Sequence, residues 1–160
     1  MAEQNYSSSI TANIRPHEAV ERISRVADWW SEKFSGTADK VGDTFKLDWG
    51  NTVVDFTVAE VIPSKRIVWQ VTDCNLHFVE HRKEWKDTQV IFDISSNSPT
   101  TTTVAMTHAG LTPETECYDT CKTGWDFYIM QSLQNLLRQN RGFPDMRGKQ
   151  KPAEVAPAHS

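Results

Sequence analysis

The rhythm of apolar and polar positions changes period along this chain, and the changes divide it into three blocks. At the start, Ile10, Ala12 and Ile14 alternate with polar residues, the two-residue period of a half-buried strand over residues 9–14. Pro16 follows where a helix can open, because its missing N–H has no partner in a first turn anyway. Ala19, Val20 and Ile23 give that helix an apolar side, and a second short helix is expected over residues 26–30. The stretch from Ser35-Gly36-Thr37 to Gly42-Asp43 reads as the loop that ends the helical pair.

From Thr44 the period is two. Phe45, Leu47 and Trp49 alternate, Gly50-Asn51 makes a tight turn, and Val54, Phe56 and Val58 return. Pro63-Ser64 turns the chain again before Ile67, Trp69 and Val71. Leu76 and Phe78 suggest a short strand, followed by a charged loop up to Lys86. Val90, Phe92 and Ile94 alternate next, Asn97-Ser98-Pro99 turns, and Val104, Met106 and His108 close the block. These segments predict a meander of antiparallel hairpins, for a sheet of six or seven strands with the first one added.

In the third block the spacing becomes three and four. Tyr118, Cys121, Trp125, Tyr128, Ser132 and Leu136 form one stripe of a helix predicted over residues 112–140. Such a helix is roughly 40 Å long at 1.5 Å per residue, enough to lie across a whole sheet. Thr112 is placed to cap it with Pro113 at the first helical position, Glu114 and Glu116 suit the positive end of its dipole, and Gly142 is placed to end it. The predicted class is α+β: a curved antiparallel sheet wrapped around a long C-terminal helix, with two short helices after the first strand.

Composition narrows the function classes. A length of 160 residues suits one domain with a sizeable core. A net charge of -4, with no basic run outside the polar end of the chain, argues against a nucleic-acid surface. No apolar stretch approaches the roughly 20 residues of a membrane span, and the N-terminus lacks the pattern of a secretory signal. Three cysteines do not make a disulfide framework, so a reducing, cytoplasmic setting is expected. Residues 1–7 are expected to be flexible, 8–142 to form the domain, and 143–160, rich in Pro, Lys and Ala, to form a disordered tail.

Read literally, the alternation puts Phe45, Leu47, Trp49, Val54, Phe56, Val58, Trp69, Phe92, Met106 and His108 on the concave face, with Trp49, Phe56, Trp69, Phe92, Met106 and His108 as the candidate lining under Trp125 and Tyr128 of the helix. An apolar lining with a few polar groups is what a small-molecule pocket needs, and it is equally what a filled core looks like. His108, in phase with Val104 and Met106, faces the helix as a possible hydrogen-bond partner or general base. His77 and His81 are four apart among Glu80 and Glu84, but in a charged stretch after a strand they read as a solvated loop. Cys117 and Cys121, also four apart, have no second ligand pair and read as small buried residues rather than a metal site. Glu60 reads as a rim residue in water. With no nucleophile elbow, phosphate-cradling glycine loop or spaced acid pair, no catalytic residue, metal or cofactor is assigned.

Four segments carry a resemblance that covers roughly residues 8–141. They are Val26-Ala27-Asp28-Trp29-Trp30; the hairpin from Val58-Ala59-Glu60 through Pro63-Ser64-Lys65-Arg66 to Trp69; the pair Trp85 to Phe92 and Thr102 to Leu111; and Gly124-Trp125-Asp126-Phe127-Tyr128 with Leu133. In this order the chain resembles the START-like (SRPBCC, helix-grip) superfamily, in the branch named after the activator of heat-shock protein 90 ATPase. The resemblance implies a cavity between sheet and helix that holds a small hydrophobic or amphipathic ligand. It also implies two alternatives. One is a chaperone-associated protein-interaction domain, touching its partner through Trp29-Trp30 or the Glu80 to Lys86 loop. The other is a cyclase or hydratase with His108 as acid–base group.

Overall fold

Seven strands pair antiparallel into a single sheet in the computed structural model, which describes residues 5–49, 52–76 and 79–144, without the side chains of Trp49 and Asn97. The strands are β1 (Tyr6–Ala12), β2 (Phe34–Gly36), β3 (Thr44–Trp49), β4 (Thr52–Ile62), β5 (Arg66–Asn75), β6 (Gln89–Ser98) and β7 (Thr101–Ala109). Their order across the sheet is β1-β7-β6-β5-β4-β3-β2, so β5 is the central strand and β1 returns beside the last one. Helices α1 (Pro16–Ser24) and α2 (Val26–Trp29) follow β1, and the C-terminal helix follows β7. This is the α+β helix-grip arrangement that the alternation predicts.

Alternation sets which side chains enter the core. Along β7, Thr102, Val104, Met106 and His108 are buried while their neighbours are partly open. Met106 faces Phe92 across the ladder, and His108 faces Val90. Each large apolar side chain buried this way contributes about 1.5–3 kcal/mol relative to exposure. Irregular pairing between Val58 and Glu60 interrupts the rhythm in β4, leaving Glu60 exposed at 3.2 Å from Arg66. Glu60 is therefore a rim residue, as expected.

Several boundaries differ from the expectation. β1 starts at Tyr6, so Tyr6 and Ser7, assigned to the flexible end, are part of the sheet. Ser35 and Gly36, expected at the start of a loop, instead form β2 with Phe34, paired against β3. The C-terminal helix starts at Tyr118, not at Thr112. Residues 112–117 instead make turns, with Thr115 N–H on Thr112 O and Tyr118 N–H on Thr115 O. The cap comes from a distant loop: the Glu84 carboxylate accepts the N–H groups of Glu116 and Cys117, while Glu116 accepts those of Glu80 and His81. With these donors satisfied from outside, Thr112 and Pro113 are not needed to open the helix.

The helix is also not uniform. α3 (Tyr118–Phe127) passes into a π-helical segment, Tyr128–Leu133, and then into α4 (Gln134–Gln139). It ends at Asn140, in the left-handed conformation at φ 62, whose N–H returns to Leu136 O. Gly142, expected to end it, has a different use. A Cβ there would meet Asp28 O and lie 3.0 Å from Trp29 Cα, so glycine lets the chain pass close over α2. Phe143 is buried. Most of the predicted tail lies outside the described residues.

Candidate functional site

Trp69, at the middle of the central strand, is fully buried and organises the space between sheet and helix. Phe45 and Phe92 meet it edge-on, with ring centroids at 5.0 and 5.1 Å, and Phe56 does so at 6.0 Å. From the other side come two rings of α2 and its end. Trp29 and Trp30 lie within 15° of parallel to Trp69, at 6.4 and 6.3 Å. Trp30 also touches Trp125 of α3 at 4.7 Å, which joins the sheet, α2 and the C-terminal helix in one aromatic cluster. Such ring pairs add about 0.5–1.5 kcal/mol each beyond area burial.

Within this cluster one polar atom stands out. Trp69 Nε1 is buried and has no hydrogen-bond acceptor among the described residues. A buried donor left unpaired costs about 1–3 kcal/mol, and such donors are few in folded proteins. Trp85 Nε1 also has no partner, but the Cys117 thiol lies near enough to influence it.

His108 is 0% exposed and sits beside the cluster, where both its ring nitrogens are engaged. Trp125 Nε1 donates to Nδ1 at 3.0 Å. An indole N–H can only donate, so Nδ1 is the acceptor and the imidazole proton is on Nε2. That proton points to Thr88 Oγ1 at 2.8 Å, and the Thr88 hydroxyl in turn donates to Trp85 O at 2.6 Å. Gly110, at φ +107, makes room for this chain, since a Cβ there would lie 2.6 Å from Thr88 Cγ2. Burial pushes the imidazole down to about 3, so it is neutral at physiological pH. A base needs a free lone pair. The one on His108 is already taken by Trp125.

The predicted lining residues sort as follows. Phe56, Trp69 and Phe92 come together as one ring cluster, and Trp125 joins it through Trp30. Met106 is buried opposite Phe92. Tyr128 is buried on the π-helical segment with Phe127 edge-on at 5.1 Å. Trp49 ends β3 with its Cα opposite Thr52, but its side chain lies outside the described residues. Phe45, expected on the concave face, joins the cluster against Phe56 and Trp69, whereas Trp30 and Trp85 are absent from the predicted lining. Trp85 stacks on Trp125 at 6.0 Å and meets His108 edge-on at 4.5 Å. Its place in a charged run hides this role, whereas the paired Trp29-Trp30 could have announced theirs.

The other candidates are quiet. Cys117 and Cys121 are both buried, and the Cys121 thiol followed by burial pushes the Cys117 thiol far up, so it stays protonated. No group of His, Cys, Asp and Glu able to hold a metal ion exists among the described residues. His81 lies in a turn pinned by Glu116, and His77 and Phe78 fall outside the described residues. No helix among the described residues is long and apolar enough to cross a membrane.

A curved antiparallel sheet gripping a C-terminal helix around an aromatic interior defines a START-like domain. Comparison with known folds agrees. The chain is similar to the Aha1 dimer of Colwellia psychrerythraea, at 24% identity and TM-score 0.70, over 87% of this chain and 99% of that one. It is also similar to protein MLL2253 of Mesorhizobium loti, at 23% identity and TM-score 0.61, over 82% and 96%. A third likeness is to DynU16, a putative protein in the dynemicin biosynthetic locus, at 17% identity and TM-score 0.62, over 88% of this chain and 49% of that one. These likenesses speak for the fold. No curated protein matches the sequence. The chain belongs to the family described as Activator of Hsp90 ATPase homolog 1-like protein, whose pattern matches residues 18–138.

Proposed function

We propose that this protein is a non-enzymatic binding module that holds a small, largely apolar molecule bearing one oxygen acceptor between its sheet and its C-terminal helix. The observation that carries this reading is Trp69 Nε1, a buried donor in an aromatic surround with nothing described to receive it. An oxygen on the guest completes that hydrogen bond, and the surrounding rings supply apolar contact. Binding gains come from apolar burial at ~25 cal/mol per Å², less the cost of association. Phe56, Phe92, Met106, Trp125 and Tyr128 contribute the walls.

The committed nitrogens of His108 speak against the cyclase or hydratase alternative, in which that imidazole would move a proton. The test compares 1-indanone, which has a carbonyl acceptor, with indane, which does not, by calorimetry on wild-type protein and Trp69→Phe. Wild type is expected to prefer the ketone and the variant to lose that preference. Equal affinity of wild type for both molecules, or no binding of either, sinks the reading.

A second reading, a chaperone-associated interaction domain, is favoured by the family description alone. Trp29 and Trp30 are buried and offer no contact surface for it, which leaves the Glu80 to Lys86 loop. An ATPase assay of the chaperone with added protein tests it, and an unchanged rate removes it.

A further inference from the structure

We propose that Trp30 is an internal occupant of the ligand space, and that α2 is a stopper held shut by a strap formed by the chain after α4. This rests on the binding reading above and adds how a guest enters and what shape it has.

Trp30 takes the place that a flat guest would need. Its ring is 12° from parallel to Trp69 at 6.3 Å, touches Trp125 at 4.7 Å and approaches Phe56 at 5.6 Å. Three walls of the proposed site therefore already close on one indole. A molecule that replaces it matches a flat bicyclic ring, and can present an oxygen to Trp69 Nε1, which the Trp30 ring cannot do.

The element that carries Trp30 is built to be released. α2 has four residues, a single turn, and its N-cap Arg25 provides no side-chain cap. One turn does not hold itself together in water. Its ties come from elsewhere in the chain. Trp29 Nε1 donates to Ile23 O at 2.9 Å, and the buried Ser132 hydroxyl donates to Trp29 O at 2.6 Å. The same Ser132 oxygen accepts the Phe143 N–H at 2.6 Å, so one hydroxyl joins α2 to the strap. Gly142 passes against Asp28 and Trp29, and Arg25 Nη2 donates to Asn140 Oδ1 at 2.7 Å. Ser132 lies in the π-helical segment, a distortion that is frequent at functional sites. Loss of the Ser132 link frees the strap and α2 together, and the Trp30 ring leaves with them.

Amide hydrogen exchange by NMR on the full chain tests this without a ligand. In Ser132→Ala, the Trp30 and Phe143 amides are expected to exchange at least tenfold faster than in wild type and in step with each other, while amides of β5 and β6 keep wild-type rates. Unchanged rates at Trp30 and Phe143, or a rise shared by the sheet, overturn the stopper. Arg25→Ala, which cuts an exposed tie, gives the same readout if Ser132→Ala does not fold. Stopped-flow binding of 1-indanone separates the two claims. Faster association in the variants supports the stopper, and binding at the wild-type rate overturns it. Co-opening with no indanone binding in any variant overturns the binding reading and leaves only the motion.

Discussion

Acidification from pH 7 to pH 5 probes the buried chain through His108. Burial holds its imidazole down at about 3 in the folded protein, against ~6.5 in an unfolded chain. Between those values the unfolded state binds a proton that the folded state does not. Stability therefore falls as pH falls, by up to ~1.4 kcal/mol per pH unit. The contribution is intact above the unfolded value and is lost progressively on the way down to the folded one. Integrated from pH 7 to pH 5, the loss is ~2 kcal/mol. Carboxylates held low by hydrogen bonds from backbone or lysine groups, such as Glu116 and Asp73, lose their contribution mainly below the ~4 range of free carboxyls, so they add little in this window. Urea denaturation followed by tryptophan fluorescence at the two pH values measures the loss. His108→Gln, which can accept from Trp125 and donate to Thr88 but does not titrate, is the reference. Wild type is expected to lose ~2 kcal/mol more than the variant. Equal losses in the two proteins would refute a neutral, buried imidazole.

Three further perturbations follow from the packing. Glu84→Ala leaves the Glu116 and Cys117 N–H groups without their acceptor and is expected to cost about 1–3 kcal/mol in chemical denaturation, with faster amide exchange confined to residues 112–121. Phe92→Ala, in the fully buried cluster, is expected to lose about 3–5 kcal/mol; a loss below about 1 kcal/mol would mean that the interior is not packed as described. Tyr6→Phe removes the bond from Tyr6 Oη to Asp126 Oδ1 at 2.7 Å, and a thermal melt should show a small drop, about 0.5–1.5 kcal/mol, with the fold kept.

The sheet is legible in the sequence because half-buried strands repeat their chemistry every two residues, as Val104, Met106 and His108 do on β7. Residues 34–36 escape this reading because three residues that include a glycine carry no period. The helix start is misplaced for a different reason. Thr112 and Pro113 form a good local signal, but Glu84, 32 residues from Glu116, supplies the cap from another loop. The direction of His108 follows from alternation. Its neutrality does not, because Trp125 and Thr88 reach it from 17 and 20 residues away. The same holds for Trp30: a tryptophan in a short apolar helix reads as packing, and only the assembled rings reveal that it fills the space between Trp69 and Trp125.

The most direct test of a guest site at Trp69 is the indole N–H spectrum of the protein labelled with 15N at its six tryptophans, titrated with 1-indanone. The account predicts that the Trp69 signal, assigned by its absence in Trp69→Phe, moves downfield as its N–H gains an acceptor, with a large shift at Trp30 as its ring leaves the cluster and a smaller ring-current shift at Trp125. A Trp69 signal that stays in place while the ketone saturates the protein elsewhere contradicts it.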